Sequence, residues 1–359
     1  MNIKQLSRVT LLLALAVIIS GCTINLGRSN TSSSAKQPGG VWKSIDSGKK
    51  WEPIIAVPTT SGKQANIGNV SIKRITFDPQ DTKVIYGATI ENGIVYTING
   101  GESWQQLTEL SKASPRLVAV DAKNSCTLYT LIENKILQSV NCGRNWSVIY
   151  QHQTAKVSLT ALTIDYATTT TMYLGDSEGE VIKSVNGGSS WQTVHRVKGA
   201  DVAEIIVDPS DHKTIYVATA KSGIERSRDG GLTWANLGLG LKSYIGSHEY
   251  RRLIIDPATP GGLLLVSRYG MLRSQNYGDS WQALTLLPAP KATSITAVAI
   301  NPDNSQEIHY ATPLAMVSTF DGGQTWSSVK LPTARLISDL LIDPVQPAIM
   351  YLSTINPEK

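Results

Sequence analysis

Seven times along this chain a five-residue turn ends in glycine, and a tryptophan follows that glycine three positions later. The turns are Ser44-Ile45-Asp46-Ser47-Gly48, Thr97-Ile98-Asn99-Gly100-Gly101, Ser139-Val140-Asn141-Cys142-Gly143, Ser184-Val185-Asn186-Gly187-Gly188, Ser227-Arg228-Asp229-Gly230-Gly231, Ser274-Gln275-Asn276-Tyr277-Gly278 and Thr319-Phe320-Asp321-Gly322-Gly323. Their tryptophans, Trp51, Trp104, Trp146, Trp191, Trp234, Trp281 and Trp326, recur every 42 to 53 residues, and only Trp42 falls outside the series. The residue types have physical reasons. An Asp or Asn side-chain oxygen accepts backbone N–H groups inside a tight turn. Glycine supplies a backbone with positive φ. Tryptophan is large enough to pin a hairpin to the sheet beneath it. Four of the seven turns carry Asn in place of Asp. Asn keeps the accepting oxygen and loses the charge, which fits a structural turn and fits poorly with catalysis or metal binding.

A second signature lies between these turns: an apolar run, then Asp or Asn, often Pro, then a second apolar run carrying tyrosine. Ile75-Thr76-Phe77-Asp78-Pro79 leads to Tyr86 and Ile205-Ile206-Val207-Asp208-Pro209 to Tyr216, while Leu253-Ile254-Ile255-Asp256-Pro257 leads to Leu264, the one loss of the aromatic. This reads as strand, polar turn, strand. One full repeat therefore has four strands A to D, expected near Val202–Val207, Ile215–Thr219, Gly223–Ser227 and Trp234–Leu237. A period of this length with four strands predicts an all-β, seven-bladed β-propeller over residues 41–357. The N-terminal turn half (Val41 to Val57) and the C-terminal Asp-Pro half (Leu336 to Ile355) pair into the last blade, which closes the ring and removes two sheet edges.

The first forty residues read as targeting sequence. Lys4 and Arg8 precede an apolar stretch, Val9 to Ile19, too short to span a membrane comfortably. Ile19-Ser20-Gly21-Cys22 resembles a bacterial lipobox. That resemblance implies a signal peptide over 1–21, a lipid on Cys22, and export to the outer face of the cytoplasmic membrane or to the outer membrane. An ordinary secretory signal with an incidental cysteine is the alternative. Residues 22–40, rich in Ser, Thr, Asn and Gly, read as a flexible tether. Removing Lys4 and Arg8 from the 33 basic residues leaves 31 against 28 acidic ones, a net charge of +3. So mild a charge does not argue for nucleic-acid binding. Cys126 and Cys142 fall on the same turn face of one blade, so they form either a disulfide, which an exported protein can keep, or two buried thiols.

Candidate contact residues lie on the opposite face, at the mouth of the channel. Lys73, Arg74, Arg116, Arg251, Arg252 and Arg335 begin the inner strands at similar registers, with Asp201, Glu204 and Asp339 interrupting them. A rim of this kind suits an acidic protein segment, because arginine makes bidentate, orientable contacts with carboxylates. The long loop from Gly238 to Tyr250 adds Tyr244, His248 and Tyr250, and the next loop adds Arg268 and Tyr269, so the blade starting there is the best single candidate for contact. Reversing Arg116, Arg251 and Arg252 to Glu is expected to abolish partner capture without lowering the melting temperature. The five histidines are scattered, with no His-x-His or Cys-x-x-Cys pair, and no phosphate loop or nucleophile elbow is present. No cofactor or metal is therefore expected.

The turn S/T-x-D/N-x-G-x-x-W resembles the Asp-box, or BNR repeat, with Asp46, Asn99, Asn141, Asn186, Asp229, Asn276 and Asp321 as its turn residues. Sialidases share the box, but the resemblance implies six blades and an Arg-Ile-Pro motif, and Arg74-Ile75-Thr76 is the nearest match here. The half-repeats look more like those of xyloglucanase- and sortilin-type propellers; xyloglucanases place one catalytic carboxylate on each of two propellers. Photosystem II assembly-factor propellers are similar in length, lipoprotein signal and arginine-rich channel mouth. The resemblance implies a membrane-anchored scaffold that holds a protein, such as a subunit of a membrane complex. The alternative is a glycoside hydrolase or carbohydrate-binding protein, with two of Asp201, Glu204 and Asp339 as an acid/base pair.

Overall fold

The computed structural model describes residues 38–59, 65–287 and 294–356. The expected signal peptide, Cys22 and most of the expected tether lie outside the described residues. The rest forms seven four-stranded antiparallel sheets. Blades 1 to 6 span residues 72–106, 118–151, 159–196, 202–236, 250–283 and 297–330, and each runs A, B, C, D in chain order. In blade 4 the strands are Val202–Val207, Ile215–Thr219, Gly223–Ser227 and Ala235–Asn236.

Blade 7 takes strands A and B from Leu336–Ile342 and Met350–Ile355, and strands C and D from Val41–Ser44 and Glu52–Pro53. Trp42 lies opposite Leu352 in that seam. Thr354 N–H donates to the Gly40 carbonyl at 3.0 Å and Gly39 N–H to the Gly68 carbonyl at 2.8 Å, so Gly39 and Gly40 already belong to the folded ring.

A strand that carries apolar side chains on both faces must be covered on both, and the propeller does this by stacking blade on blade. Seven apolar clusters result, each between neighbouring blades. The cluster between blades 6 and 7 joins Ala311 and Met316 to Trp42, Ile337 and Leu352, and the cluster between blades 7 and 1 joins Val41 and Tyr351 to Ile72, Ile85 and Trp104. The strand-B tyrosines are buried in these seams, and the hydroxyls of Tyr173 and Tyr351 reach across them. Tyr173 donates to the Gly230 carbonyl (3.1 Å) and Tyr351 to the Gly100 carbonyl (3.4 Å), in each case the turn of the next blade. Lys183 and Lys43 donate to the same two carbonyls at 2.8 and 3.2 Å. Burial pushes the Tyr173 and Tyr351 phenols up to about 12, with Asp165 and Asp343 adding to it.

Two features depart from the sequence reading. The stretch after Asn236 opens with a short helix, Gly238–Leu241, because Leu237 and Leu241 both drop into the cluster between blades 4 and 5. Ala56–Val57 also pairs with Ala65–Asn66, a small hairpin outside the blades. Cys126 and Cys142 are joined by a disulfide across 16 residues of blade 2. Among the described residues no helix is long and apolar enough to cross a membrane.

Candidate functional site at the channel mouth

Strand A lines the channel, and five blades carry an extra residue at one register of it. Lys73, Thr160, Ala203, Arg251 and Ser338 each stand unpaired where two residues oppose one on strand B. Such a bulge bends the strand and re-aims consecutive side chains. It explains how the adjacent pairs Lys73-Arg74 and Arg251-Arg252 divide their tasks. The first of each pair stays on the rim, and the second enters the channel. The residues that follow the bulges are Arg74, Ala161, Glu204, Arg252 and Asp339, each four positions before its blade's turn Asp. Arg74, Ala161, Glu204 and Arg252 line a cavity of about 340 Å³ together with Leu117 and Thr160.

At this level the channel is bridged by charge. Glu204 of blade 4 pairs with Arg74 of blade 1 through Oε1 and accepts the Tyr250 hydroxyl on Oε2. Arg252 of blade 5 lies 3.5 Å from Glu204 and 3.7 Å from Asp339 of blade 7. Asp339 also accepts backbone N–H groups from Ile75 (3.2 Å) and Leu340 (3.1 Å). Tyr250 Oη in turn accepts the Leu253 N–H at 3.0 Å. Burial alone would raise the Glu204 carboxyl, but the charges of Arg252 and Arg74 and the Tyr250 hydrogen bond outweigh it and hold the group at about 2. Burial would lower Arg252, and Glu204 with Asp339 reverses that and raises it. Two arginines and two carboxylates thus cancel in a plug that ties four blades together. Arg74 and Arg252 do not form the open basic rim that the sequence suggested, because the carboxylates that seemed to interrupt the rim neutralise them.

The remaining cations stand above this plug. Lys73 donates to Ser114 Oγ at 3.1 Å. Arg116 donates to the Thr160 carbonyl at 2.7 Å, and Arg251 to Ser294 Oγ and the Ile295 carbonyl. Among the described residues none of these three has a carboxylate within salt-bridge distance. Arg116 is held below its ordinary value by desolvation at the mouth and then by Arg74, with Asp201 opposing; Lys73 is lowered by desolvation and then by Arg116. Arg335 lies apart, 3.3 Å from Asn69 Oδ1. In the expected contact blade, Arg268 pairs with Glu249 at 2.8 Å on the surface, and His248 is exposed. Tyr244 packs edge-on against Tyr269 and donates to the Trp281 carbonyl at 2.7 Å, so this pair serves the seam between blades 4 and 5.

No protein-family model matches the chain. A xyloglucanase from a Paenibacillus species is 27% identical over 162 residues, which is 43% of this chain and 13% of that protein. The xyloglucanase of glycoside hydrolase family 74 from Xanthomonas campestris superposes with a TM-score of 0.65 at 16% identity, over 88% of this chain and 52% of its own. The chain therefore spans about half the length of that enzyme. YCF48 bound to a D1 peptide superposes with a TM-score of 0.62, also at 16% identity, over 84% of this chain and 95% of its own. The fold is that of a seven-bladed β-propeller similar to both.

Proposed function

We propose that this protein is an exported scaffold, tethered to a membrane through lipid on Cys22, whose channel mouth holds an acidic segment of a protein partner. The observation that carries the reading is the trio Lys73, Arg116 and Arg251. Among the described residues these cations stand without carboxylate partners above the plug, and desolvation, with repulsion from Arg74 on Arg116 and from Arg116 on Lys73, pushes Lys73 and Arg116 down. A bound carboxylate would relieve that repulsion, and arginine offers it two parallel hydrogen bonds. The likeness to a single propeller seen with a peptide supports a protein partner.

The competing reading is a glycoside hydrolase. A general acid at neutral pH needs a raised pKa, and a paired acid/base mechanism needs two carboxylates free to face a sugar. Glu204 is held at about 2 by two arginines, and Asp339 accepts two backbone N–H groups. Both are committed to the plug.

The test is binding of acidic and charge-neutral peptides to the purified protein, followed by fluorescence anisotropy at low and high salt, beside a crosslinking pull-down from native membranes. The acidic set should bind and weaken with salt. The combined variant Lys73→Glu, Arg116→Glu and Arg251→Glu should lose binding at least tenfold, with a melting temperature within about 2 °C of the parent, as expected for surface changes. Arg252 is left intact because reversing it would set a third carboxylate beside Glu204 and Asp339. Undiminished binding by the triple variant would rule out the rim, and sugar release from a polysaccharide panel would favour the enzyme.

A further inference from the structure

We propose that His152, Asp176 and Glu180 form a site for a zinc-type divalent cation at the outer junction of blades 2 and 3. One donor atom from each lies within 4.8 Å of the other two. Proximity alone would carry little. The argument comes from what the other blades place at the same positions and from one oxygen of Asp176.

Strand registers align Asp176, the last residue of strand B in blade 3, with Thr89, Thr219, Thr312 and Thr354. In blades 1 and 4 the threonine hydroxyl completes the B–C turn by itself. Thr219 Oγ1 donates to the Gly223 carbonyl at 3.0 Å and accepts the Ser222 N–H at 3.0 Å, and Thr89 does the same with Gly93 and Asn92. Asp176 performs this turn duty with one oxygen: Oδ1 accepts the N–H groups of Glu178 and Glu180, both at 2.9 Å. Its other oxygen is surplus. Oδ2 is buried and accepts no hydrogen bond among the described residues, although the Asp176 side chain is only 1% exposed. A buried carboxylate oxygen without a donor is costly and calls for a cation or a proton. It points toward His152, whose Nε2 is 4.0 Å away. Glu180 is the second anomaly, because its register holds Gly93 in blade 1 and Gly223 in blade 4.

His152 is held in place beside Asp176. Its backbone is fixed by Asn134, which accepts its N–H at 2.9 Å and donates to its carbonyl at 3.1 Å. Its Nδ1 lies 3.2 Å from the Thr154 carbonyl and 3.1 Å from the Thr154 N–H, so it can donate to the first or accept the second. Accepting the N–H leaves the proton of a neutral imidazole on Nε2; a bound ion would select the other tautomer, in which Nδ1–H donates to the carbonyl and Nε2 presents its lone pair toward Asp176, the second-sphere arrangement typical of metal-bound histidine. Glu180 shares Oε1 with Arg196 and keeps Oε2 for a ligand bond. One imidazole nitrogen with two carboxylates suits zinc(II) and its transition-metal neighbours. Calcium and magnesium prefer oxygen alone. Zinc bonds of about 2.0–2.2 Å require donor separations of roughly 3.3 Å, so the ion would draw His152 and Glu180 inward. The bound ion would strap the outer strand of blade 2 to the B–C loop of blade 3.

The test uses the full chain without a polyhistidine tag, stripped with chelator and titrated with zinc chloride by calorimetry. One equivalent should bind, and magnesium or calcium in excess should not displace it. Asp176→Asn keeps an oxygen for the Glu178 and Glu180 amides, so it should melt with the metal-free parent yet bind zinc at least tenfold more weakly. His152→Gln, away from the turn, should weaken zinc similarly and guards against a folding defect in the first variant. No stoichiometric uptake by the parent, or parental affinity in both variants, would overturn the site.

Discussion

Glu204 is the residue on which the channel mouth turns, because side chains from blades 1 and 5 meet on its carboxylate. Its carboxyl is held at about 2, against an ordinary value of 4.5. A carboxylate lowered on folding stabilises the native state above its unfolded pKa, and that contribution fades as pH falls through the folded value. The window here runs from about pH 4.5 down to about pH 2, and the contribution is on the order of 3 kcal/mol. Glu204→Gln should therefore destabilise the protein at pH 7 by about 3 kcal/mol, since it also leaves Arg74 and Arg252 with one fewer anion. The same variant should flatten the fall in stability between pH 5 and pH 2, measured by urea unfolding at a series of pH values. A parental slope in that window would mean Glu204 is not the group responsible. Little of this could be read from residue order. Arg74 and Arg252 were visible as charges at one register, and so was Glu204, but 130 positions separate Arg74 from the carboxylate it meets. Only the curvature of the ring decides which of seven blades face each other.

The five-residue turn before each repeated tryptophan shows the reverse case, an element almost wholly legible in sequence. Its last two positions both take positive φ, from Gly187 (67°) and Gly188 (88°) in blade 3 to Cys142 (60°) and Gly143 (82°) in blade 2. The first residue carries the buried work: Ser184 Oγ accepts the Gly188 N–H at 2.9 Å and donates to Asn186 Oδ1 at 3.0 Å. The exchange of Asp for Asn also has a local account. Asn186 Nδ2 donates to Ser190 Oγ at 2.8 Å, whereas Asp229 Oδ2 accepts from Thr233 Oγ1 at 2.5 Å. A hydroxyl four residues on can play either part, so the carboxylate and the amide are interchangeable. Asn186→Asp is expected to change stability by less than about 0.5 kcal/mol. Ser184→Ala, which strands a buried N–H, should cost about 1–3 kcal/mol in denaturant unfolding. Equal costs for the two would contradict this division of roles. The strand bulges at Lys73 and Arg251 were not legible, because a bulge is defined by the partner strand and leaves the local pattern of residue types unchanged.

At the scale of the whole ring, seven blades share seven seams, and an open ring would have one fewer seam and two uncovered faces. Equal numbers of glycine-turn halves and Asp-Pro halves make that closure legible in the sequence. The structure adds what holds it: Val41–Ser44 pairs with Met350–Ser353, and Trp42, Met350 and Leu352 pack against blade 6 while Val41 and Tyr351 pack against blade 1. Lys43 and Tyr351 then reach the Gly100 carbonyl of blade 1. Removing strand B of blade 7 therefore weakens two seams at once and leaves Val41–Ser44 without a neighbour on one side. In a nearest-neighbour array, stability sums over seams, and unfolding can begin wherever an end is free. A chain ending at Asp343 should unfold at a lower midpoint and over a broader transition than the full chain, because its blades can peel from the opened seam. Calorimetry would read both quantities. A shortened chain with the same midpoint and the same sharpness would mean that neighbouring blades hold the ring without the closing seam, and that the pairing of the two chain halves contributes little to its cooperativity.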